Sequence, residues 1–227
     1  MELTILMPCL NEEKTVGICV KKALDFLMCN DICGEVLVVD NGSSDNSKLI
    51  ASNAGARVVF TPMRGYGNAL RYGIKEANSD YIIYGDCDDS YDFSDILEFY
   101  LKLQDGYIFV NGNRYVRRNE KGSMSFSHRY IGVPFLSWLG RISYHVPFQD
   151  FHCGLRAIKR MPNMKFISTG MEFASEIIYR YSLIDKSKML QIPISFYKDK
   201  RGHKSHLRTI RDGMRHIVFI IKSKFFE

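Results

Sequence analysis

Short apolar runs alternate with amphipathic stretches over the first half of the chain. Five runs have the length of buried strands and fall at residues 3–7, 35–39, 57–60, 81–85 and 107–110. Between them, apolar residues recur at helical spacing over residues 12–28, 47–53, 65–77 and 92–103. We expect Asn11 to cap the first helix, with Glu12 and Glu13 at its positive end. Strands alternating with helices predict an α/β fold with a mainly parallel central sheet flanked by helices.

The pattern changes after residue 113. The remaining predicted elements are a basic loop at 114–127, an aromatic-rich helix at 128–144 with a break near Pro134, a strand at 153–158, a helix at 172–181, a strand at 188–196 and a basic loop at 198–206. We therefore expect one domain over residues 1–206, divided into halves at 113/114, followed by a separate helix over 207–227.

This last helix is predicted to be basic and amphipathic. The apolar residues on one of its faces are Leu207, Ile210, Met214, Ile217, Val218, Ile221 and Phe225. The basic residues around that face are Arg208, Arg211, Arg215, Lys222 and Lys224.

Charge divides at the same boundary. The chain has a formal net charge of +6, but residues 1–113 sum to −8 and residues 114–227 sum to +14. An acidic half suits a cation, and a basic half suits a phosphate, a nucleic acid or an anionic membrane surface. The basic residues form no RNP, helix-turn-helix or zinc-finger pattern, so we expect no nucleic-acid partner.

Composition indicates an ordinary globular protein, with 46% hydrophobic and 25% charged residues. The six cysteines show neither CxxC spacing nor a zinc-site cluster. Free thiols without a signal-peptide pattern predict a reducing, cytoplasmic location. No apolar run approaches the roughly 18 residues of a membrane-spanning helix.

The acidic segment Asp86-Cys87-Asp88-Asp89 follows the fourth predicted strand. Side chains two apart in extended backbone share a side, so Asp86 and Asp88 are expected to bind one cation together, with Asp89 in the following turn. Carboxylate oxygens are ligands that Mg²⁺ and Mn²⁺ prefer. An acidic loop that only caps the next helix is the structural alternative.

Other polar residues follow neighbouring strands. Asn11, Asp40, Arg64 and Asp86 all come after predicted strands of the sheet. In parallel α/β sheets the ligand crevice lies beyond the carboxyl ends of the strands. These four residues are therefore expected to share one site.

The order of these motifs resembles that of the family 2 glycosyltransferases with the GT-A fold, over nearly the whole chain. The matching segments are Pro8-Cys9-Leu10-Asn11-Glu12-Glu13, Val38-Val39-Asp40-Asn41-Gly42-Ser43-Ser44-Asp45, Arg64-Gly65-Tyr66-Gly67-Asn68-Ala69-Leu70 and Asp86-Cys87-Asp88. The later segments Gly112-Asn113-Arg114, Asp150-Phe151-His152-Cys153-Gly154-Leu155-Arg156 and Gly170-Met171-Glu172-Phe173-Ala174-Ser175-Glu176 resemble the polyprenyl-phosphate sugar transferases. Those enzymes are similar to dolichol-phosphate mannose synthase.

The resemblance implies a nucleotide-sugar donor in the half 1–113. Asp86 and Asp88 would hold Mg²⁺ or Mn²⁺, the ribose or both, and the metal would stabilise the leaving diphosphate. The residues expected to line the nucleotide pocket are Pro8, Asn11, Glu12, Asp40, Asn41, Gly42, Arg64 and Gly65. Asp40 would accept hydrogen bonds from the base, and Arg64 would contact phosphate. Turn formation at Asn41-Gly42 and packing at Gly65 and Gly67 are the structural alternatives.

The half 114–206 is expected to bind the acceptor, which the resemblance makes a polyprenyl phosphate. A phosphate oxygen is already anionic and needs positive charge rather than a general base. Arg114 and Arg129 are the first candidates for that contact, and Arg117, Arg118 and Arg201 stand behind them. A solvated basic face is their structural alternative.

Three acidic residues of this half have expected roles. Asp150 matches the acidic residue that the family places beside the donor sugar, where it would bind sugar hydroxyls or, with a hydroxyl acceptor, act as a base. Glu172 and Glu176 share one helix face, and Glu176 better matches the family position. A surface helix with solvated acids is the structural alternative.

A lipid acceptor implies contact with a membrane. The C-terminal helix and the aromatic stretch 126–148 are expected to bind the cytoplasmic face peripherally. A membrane-anchored partner subunit or a homo-oligomer is a further expectation. The structural alternative is that both helices only close the core.

Other functions remain open from the sequence. Transfer to a sugar hydroxyl in a surface polysaccharide is the second enzymatic hypothesis, and a non-catalytic sugar-nucleotide-binding subunit is a third. A nicotinamide-dependent oxidoreductase is the least favoured, because Gly65-Tyr66-Gly67-Asn68-Ala69-Leu70 lacks the third glycine of GxGxxG and follows the third strand.

Overall fold

The structure, a computed structural model, describes residues 1–117, 120, 122–202 and 208–225. Arg118 and Leu207, named above, lie outside the described residues. The strands are β1 (Leu3–Cys9), β2 (Gly34–Asp40), β3 (Arg57–Phe60), β4 (Tyr81–Tyr84), β5 (Phe109–Asn113), β6 (Arg156–Lys159) and β7 (Met189–Pro193). The helices are α1 (Val16–Cys29), α2 (Ser47–Asn53), α3 (Tyr66–Glu76), α4 (Leu97–Gln104), α5 (Val133–Tyr144), α6 (Phe173–Ser182) and α7 (Thr209–Ser223). A π-helical turn, His128–Gly132, leads into α5.

These strands form one sheet in the order β3-β2-β1-β4-β6-β5-β7. The pairs β2–β3, β1–β2, β1–β4 and β5–β7 are parallel, whereas β6 runs antiparallel to both β4 and β5. The prediction of a mainly parallel sheet is confirmed. Because β1, β2 and β4 are parallel and adjacent, their carboxyl ends meet at one edge of the sheet.

Apolar residues pack against both faces of the sheet. Ile5 and Val38 belong to a core layer that includes α1, while Leu6 and Leu37 belong to a layer that includes α3 and α6. Alternate residues of a strand point to opposite faces, so one apolar run supplies both layers. This explains why the central strands read as continuous hydrophobic runs.

Two local predictions are wrong. Helix α1 begins at Val16 rather than at residue 12, and Asn11 is not its N-cap. Asn11 has φ of +57° and accepts a hydrogen bond from the Ser44 N–H at 2.8 Å. Strand β5 is displaced towards polar residues, because its pairing with β7 continues to Asn113 opposite Pro193. In both cases contacts distant in sequence override the local pattern.

Helix α7 packs a mixed polar and apolar face inward. Its buried residues are His216, Phe219, Ile220 and Ser223. Residues that the periodicity assigns to the apolar face are exposed instead, with Ile210 83% and Ile221 51% exposed. The alternative that this helix only closes the core is therefore wrong for that face.

Candidate active site

The first wall of the site forms where β1 and β2 end side by side, in register. The N–H of Asn11 donates to Ser43 Oγ at 2.9 Å, and the N–H of Ser44 donates to Asn11 Oδ1 at 2.8 Å. The N–H of Glu12 donates to Ser47 Oγ at 2.7 Å. The two loops are thus joined along their length, and the positive φ of Asn11 is stabilised by its side-chain hydrogen bond.

Asp40 closes the end of β2 and is almost fully buried. Its carboxylate accepts the N–H of Gly42 at 3.3 Å and the N–H of Ser43 at 3.1 Å. Gly42 has φ of +92°, a conformation that favours glycine. Asp40 therefore orders its own turn, and its contact with a nucleotide base stays a prediction.

Asn41 joins this turn to the start of α3. Its amide nitrogen donates to the Met63 carbonyl at 2.9 Å, and its amide oxygen accepts the Gly65 N–H at 2.7 Å. Arg64, between these two contacts, is exposed, with Nη2 3.5 Å from the Gly42 carbonyl. Arg64 therefore lies exposed beside the turn after β2, and its contact with a phosphate stays a prediction.

Gly65 and Gly67 are packing glycines. A Cβ at Gly65 would lie 2.2 Å from the Thr169 carbonyl oxygen, and a Cβ at Gly67 would lie 2.6 Å from the Ser168 carbonyl oxygen. The N-terminus of α3 therefore sits directly on the segment before α6. The structure favours the packing alternative for both residues over close approach to a nucleotide.

The acidic segment begins two residues after β4 ends. Burial raises the pKa of the Asp86 carboxyl, and the positive charges of Arg201, Arg114 and Arg156 and a hydrogen bond from Tyr66 oppose that rise. Close to this carboxylate, a Cβ on Gly154 would lie 2.7 Å from Asp86 Oδ2. Glycine at 154 thus makes room for the carboxylate.

Asp88 is held on both oxygens. Its Oδ1 accepts the N–H of Ser90 at 3.0 Å and the hydroxyl of Ser90 at 2.5 Å, and its Oδ2 pairs with Arg201 Nη2. Asp89 has φ of +61° and pairs with Lys22 at 2.8 Å and Lys200 at 2.6 Å. The three carboxylates therefore have different partners, and Asp89 belongs to the turn.

Within the described part of the chain, no group of three or more His, Cys, Asp or Glu residues forms a preformed metal cage. Asp86 and Asp88 nevertheless supply two carboxylates at one strand end. Mg²⁺ is commonly held by one or two carboxylates together with substrate phosphates rather than by a cage. The donor set fits a cation shared with a diphosphate.

Arg201 lies at this acidic segment, whereas the sequence places it behind the acceptor-phosphate arginines. Besides Asp88, its guanidinium approaches Glu12 Oε1 at 3.3 Å and Asp199 Oδ1 at 3.5 Å. Its side chain is 12% exposed. Three carboxylates thus surround one guanidinium.

Asp150 and Arg114 form a second ion pair, in which Asp150 is fully buried and the Arg114 side chain is 9% exposed. Arg114 Nε and Nη2 donate to the two oxygens of Asp150 at 2.7 and 2.9 Å, in a bidentate arrangement. The backbone N–H groups of Arg114 and His152 donate to the same carboxylate at 3.3 and 3.1 Å. The Arg114 guanidinium lies 5.3 Å from the ring centroid of Phe196. Both residues lie in the interior, where such pairing stabilises the two charges.

Arg129 and Arg117 lie outside this pair. The guanidinium of Arg129 lies 5.7 Å from the ring centroid of Tyr130, and the Arg129 carbonyl accepts the Tyr115 hydroxyl at 3.1 Å. Arg117 forms an exposed ion pair with Asp95 at 2.9 Å, so it belongs to the solvated face that was its alternative. Arg118 is outside the described residues.

A cavity of about 230 Å³ lies between α5 and the loop that carries Asp150. Its lining residues are Tyr115, Pro134, Arg141 and Gln149. Arg141, which no sequence motif singles out, donates from Nη1 to the Phe148 carbonyl at 3.3 Å. The cavity therefore adjoins the Arg114–Asp150 pair on the side of α5.

Glu172 and Glu176 hold the segment that packs on α3. Glu176 accepts the N–H of Ile167 at 2.9 Å and of Ser168 at 2.7 Å, and Glu172 accepts the N–H of Gly170 at 3.1 Å. Both are buried. The alternative of solvated acids on a surface helix is wrong, and their immediate role is to order the loop.

Two histidines beside the site were missed, although His152 stands in a quoted motif. His152 and His216 have ring centroids 4.4 Å apart, and the Ser175 hydroxyl lies 2.9 Å from His216 Nδ1 and 3.5 Å from His152 Nε2. Burial lowers the pKa of His216 from 6.5 to about 4, with Glu172 opposing and Arg156 and Arg215 assisting. Burial also lowers the pKa of His152. These groups connect α7 with the loop of Asp150.

We expect His216→Asn to weaken the loss of unfolding free energy that occurs as the pH falls below about 6.5. The folded protein keeps His216 neutral between the unfolded pKa of 6.5 and the folded pKa of about 4, while the unfolded chain takes up a proton. Stability therefore falls as the pH drops through this window, by up to about 1.4 kcal/mol per pH unit for one histidine. Urea unfolding at several pH values measures this slope.

His145→Asn is the matched control, because His145 is exposed and its φ of +54° suits asparagine. The free energy of unfolding of this variant should depend on pH in the same way as that of the parent protein. An unchanged acid slope in His216→Asn would contradict the assignment of a buried neutral imidazole.

Arg156 is a buried arginine that the sequence does not single out. Its guanidinium donates to the carbonyls of Cys153, Ala174 and Phe151 at 2.8, 2.9 and 2.8 Å. It fixes the loop between Asp150 and β6 and places a positive charge near Asp86, whose pKa it lowers.

Comparison with known proteins agrees with this geometry. Residues 4–186 match the family model described as glycosyl transferase family 2. The chain belongs to glycosyltransferase family 2. The resemblance stated from the motifs is confirmed, and the oxidoreductase hypothesis is wrong.

Two relatives from Haloferax volcanii are informative. A low-salt glycan biosynthesis hexosyltransferase is 33% identical over 222 residues, which cover 96% of this chain and 53% of that protein. A dolichyl-phosphate hexose transferase is 30% identical over 166 residues, covering 70% of this chain and 67% of that protein. The chain thus spans about half the length of the first relative.

Solved structures confirm the GT-A fold. Glucosyl-3-phosphoglycerate synthase from Mycobacterium tuberculosis, in complex with Mn²⁺, UDP-glucose and phosphoglyceric acid, gives a TM-score of 0.72 at 19% identity, covering 98% of this chain and 79% of that one. Its complex with Mg²⁺ and UDP gives a TM-score of 0.70 at 20% identity, covering 98% and 79%. At this identity the likeness concerns the fold alone.

Proposed function

We propose that this glycosyltransferase moves one hexose, with inversion, from a nucleotide-diphosphate sugar to a polyprenyl phosphate. A donor of the GDP-mannose or UDP-glucose type fits the motifs. The name of the dolichyl-phosphate hexose transferase that resembles this chain supports the choice of acceptor. The edge of the sheet where β1, β2 and β4 end would hold the donor.

Mg²⁺ or Mn²⁺ would be held by Asp86 and Asp88 and shared with the donor diphosphate. When bound, the cation would stabilise the negative charge that grows on the diphosphate as it leaves. Arg64, exposed beside the turn after β2, would contact a phosphate. The solved neighbours with Mn²⁺ or Mg²⁺ and UDP have the same fold.

The proposal of a phosphate acceptor rests on the hydrogen bonds of the Asp150 carboxylate. It accepts four hydrogen bonds, two from the Arg114 side chain and two from backbone N–H groups. With both oxygens engaged by these donors, the carboxylate has little remaining capacity to accept a hydrogen bond from a sugar hydroxyl. A sugar hydroxyl needs a base in transfer, whereas a phosphate oxygen does not. The geometry therefore favours a phosphate acceptor.

The acceptor phosphate would bind between the Arg114–Asp150 pair and Arg129. Tyr115 follows Arg114 in the chain, and its hydroxyl donates to the Arg129 carbonyl at 3.1 Å. The cavity lined by Arg141 adjoins the same loop. In this arrangement Asp150 fixes the Arg114 guanidinium, and Arg129 supplies further charge to the phosphate.

A polyprenyl acceptor would reside in a membrane. Within the described residues, no helix has the length and apolar character to cross one. Helices α5 and α7 are neighbours, with His128 bonded to Thr209 at 3.2 Å and Tyr144 to Ser223 at 3.2 Å. These helices and the residues that flank them expose apolar side chains, namely Phe126, Tyr130, Ile131, Phe135, Trp138, Ile142, Ile210, Met214, Val218, Ile221 and Phe225. We name this set the apolar surface, and it would bind the cytoplasmic membrane face peripherally.

Polar substitutions on the apolar surface are expected to weaken membrane binding. Ile210→Gln/Ile221→Gln should lower partitioning into anionic vesicles by about tenfold or more, because partial burial of two isoleucines supplies at least the 1.4 kcal/mol of a tenfold change. Co-sedimentation with phosphatidylglycerol-containing liposomes at low salt measures it.

Met28→Gln/Leu49→Gln is the control, because both residues are exposed apolar residues on α1 and α2. This variant should sediment like the parent protein. A parent protein that stays wholly in the supernatant would argue against peripheral binding.

A nucleotide-release assay tests the proposed transfer. Donors of the GDP-mannose and UDP-glucose types are incubated with Mg²⁺ or Mn²⁺, with and without polyprenyl phosphate. We expect the lipid phosphate to stimulate release from one donor. Stimulation only by a glycan would favour the hydroxyl acceptor, and donor binding without release on any acceptor would favour a non-catalytic subunit.

A further inference from the structure

The Arg201 guanidinium occupies the position that a cation bound to Asp88 would need. Oδ1 of Asp88 is engaged by Ser90, and Oδ2 pairs with Arg201. The side chains of Asp88 and Arg201 are 6% and 12% exposed. Little solvent therefore separates the two charges, and their attraction is only weakly screened.

The carboxylates around Arg201 favour a positive charge at its position. Arg201 also approaches Glu12, whose side chain is 7% exposed, and Asp199. Without a positive charge, the buried carboxylates of Glu12 and Asp88 would repel each other. A divalent cation satisfies the same requirement, so the guanidinium and the metal are alternative partners of one carboxylate.

The segment that carries Arg201 is attached by its backbone rather than by Arg201 alone. The Lys200 N–H donates to the Asp88 carbonyl at 3.0 Å, and the Tyr197 N–H donates to the Ser90 carbonyl at 3.0 Å. The guanidinium can therefore leave Asp88 by side-chain rotation while residues 197–200 stay in place.

We propose that Arg201 and a divalent cation compete for Asp88, and that the nucleotide diphosphate decides the competition. Without nucleotide, Arg201 holds Asp88 and keeps the affinity for metal low. When metal and diphosphate bind together, the cation takes the carboxylate and the guanidinium moves to phosphate oxygens, which it binds as well as a carboxylate. Arg201 then makes metal binding dependent on the donor. This inference rests on the proposed metal role of Asp88.

Mn²⁺ binding to the whole protein tests the competition without any transfer reaction. Isothermal titration of Mn²⁺ alone is compared between the parent protein and Arg201→Gln. We expect the variant to bind Mn²⁺ about tenfold more tightly, since a close ion pair that must be broken contributes at least that factor. With UDP or GDP present at saturation, Arg201→Gln should bind Mn²⁺ no more tightly than the parent protein does, or less tightly.

Two further variants control for charge. Lys198→Gln removes the same charge from an exposed position of the same segment and should change Mn²⁺ affinity by no more than about twofold. Arg201→Lys keeps the charge and should resemble the parent protein more than Arg201→Gln does. If Lys198→Gln raised the Mn²⁺ affinity as much as Arg201→Gln does, net charge alone would explain the effect. That result would overturn the proposal.

Chemical modification of the parent protein gives a second test that does not depend on the folding of a variant. Phenylglyoxal modification of Arg201, followed by peptide mass spectrometry, should accelerate when Mn²⁺ is added alone. Protection by Mn²⁺, or no Mn²⁺ binding by Arg201→Gln, would overturn the proposal. If Mn²⁺ displaces Arg201 from Asp88 but the protein shows no turnover on any acceptor, the competition is upheld and the proposed transfer fails. The failure of one proposal can therefore be told from the failure of the other.

Discussion

Replacing Asp88 with asparagine is expected to lower kcat/KM for nucleotide release by about 10²–10³-fold, or roughly 3–4 kcal/mol of transition-state stabilisation. The amide can still accept the two hydrogen bonds of Ser90. It loses the negative charge that pairs with Arg201 and that we propose to bind the metal. The nucleotide-release assay with and without Mg²⁺ or Mn²⁺ measures the change.

Asp95→Asn is the matched control. Asp95 belongs to the turn before α4, and its side chain is 62% exposed and paired with Arg117. This variant should keep the activity of the parent protein. Full, metal-independent activity in Asp88→Asn would refute the role of the acidic segment.

Replacing Arg114 with methionine is expected to reduce the free energy of unfolding by about 3–5 kcal/mol. The change leaves Asp150, whose side chain is fully buried, with backbone donors alone. Arg114→Met/Asp150→Leu should recover most of that loss, because no uncompensated charge remains. Urea unfolding of both variants and of Asp150→Leu completes a double-mutant cycle.

Arg117→Met provides the contrast between buried and exposed pairs. The Arg117–Asp95 pair has side chains 41% and 62% exposed, so its loss should cost no more than about 1 kcal/mol. If Arg114→Met were no more destabilising than Arg117→Met, the Arg114–Asp150 pair would not be the enclosed pair that the geometry describes.

The elements with the strongest patterns were predictable. The apolar runs of β1, β2, β3 and β4 and the helical spacing of α1 and α3 match the structure, apart from their ends. Burial on both sheet faces makes such strands continuously apolar, and that pattern is local. The start of α1 and the extent of β5 were mispredicted, because Ser44 and β7, distant in sequence, determine them.

The edge of the sheet at which these motif residues gather was predictable from the same pattern. Asn11, Asp40 and Asp86 follow parallel strands whose carboxyl ends meet, so their proximity follows from topology. The use of each side chain was not predictable. Asn41 and Gly65 make contacts within the protein, and Arg201 pairs with Asp88 in the acidic segment after β4.

The sequence by itself determined the α/β fold class, the order of the motifs and the edge of the sheet at which they meet, because neighbouring residues encode strand and helix periods. Only the tertiary structure decided which charges pair. Arg201 and Asp88 are separated by 113 positions, and Arg114 and Asp150 by 36. It also decided that α7 turns His216 inward and Ile210 outward. Such choices depend on the paths of loops and on competition among many partners, which no local pattern contains.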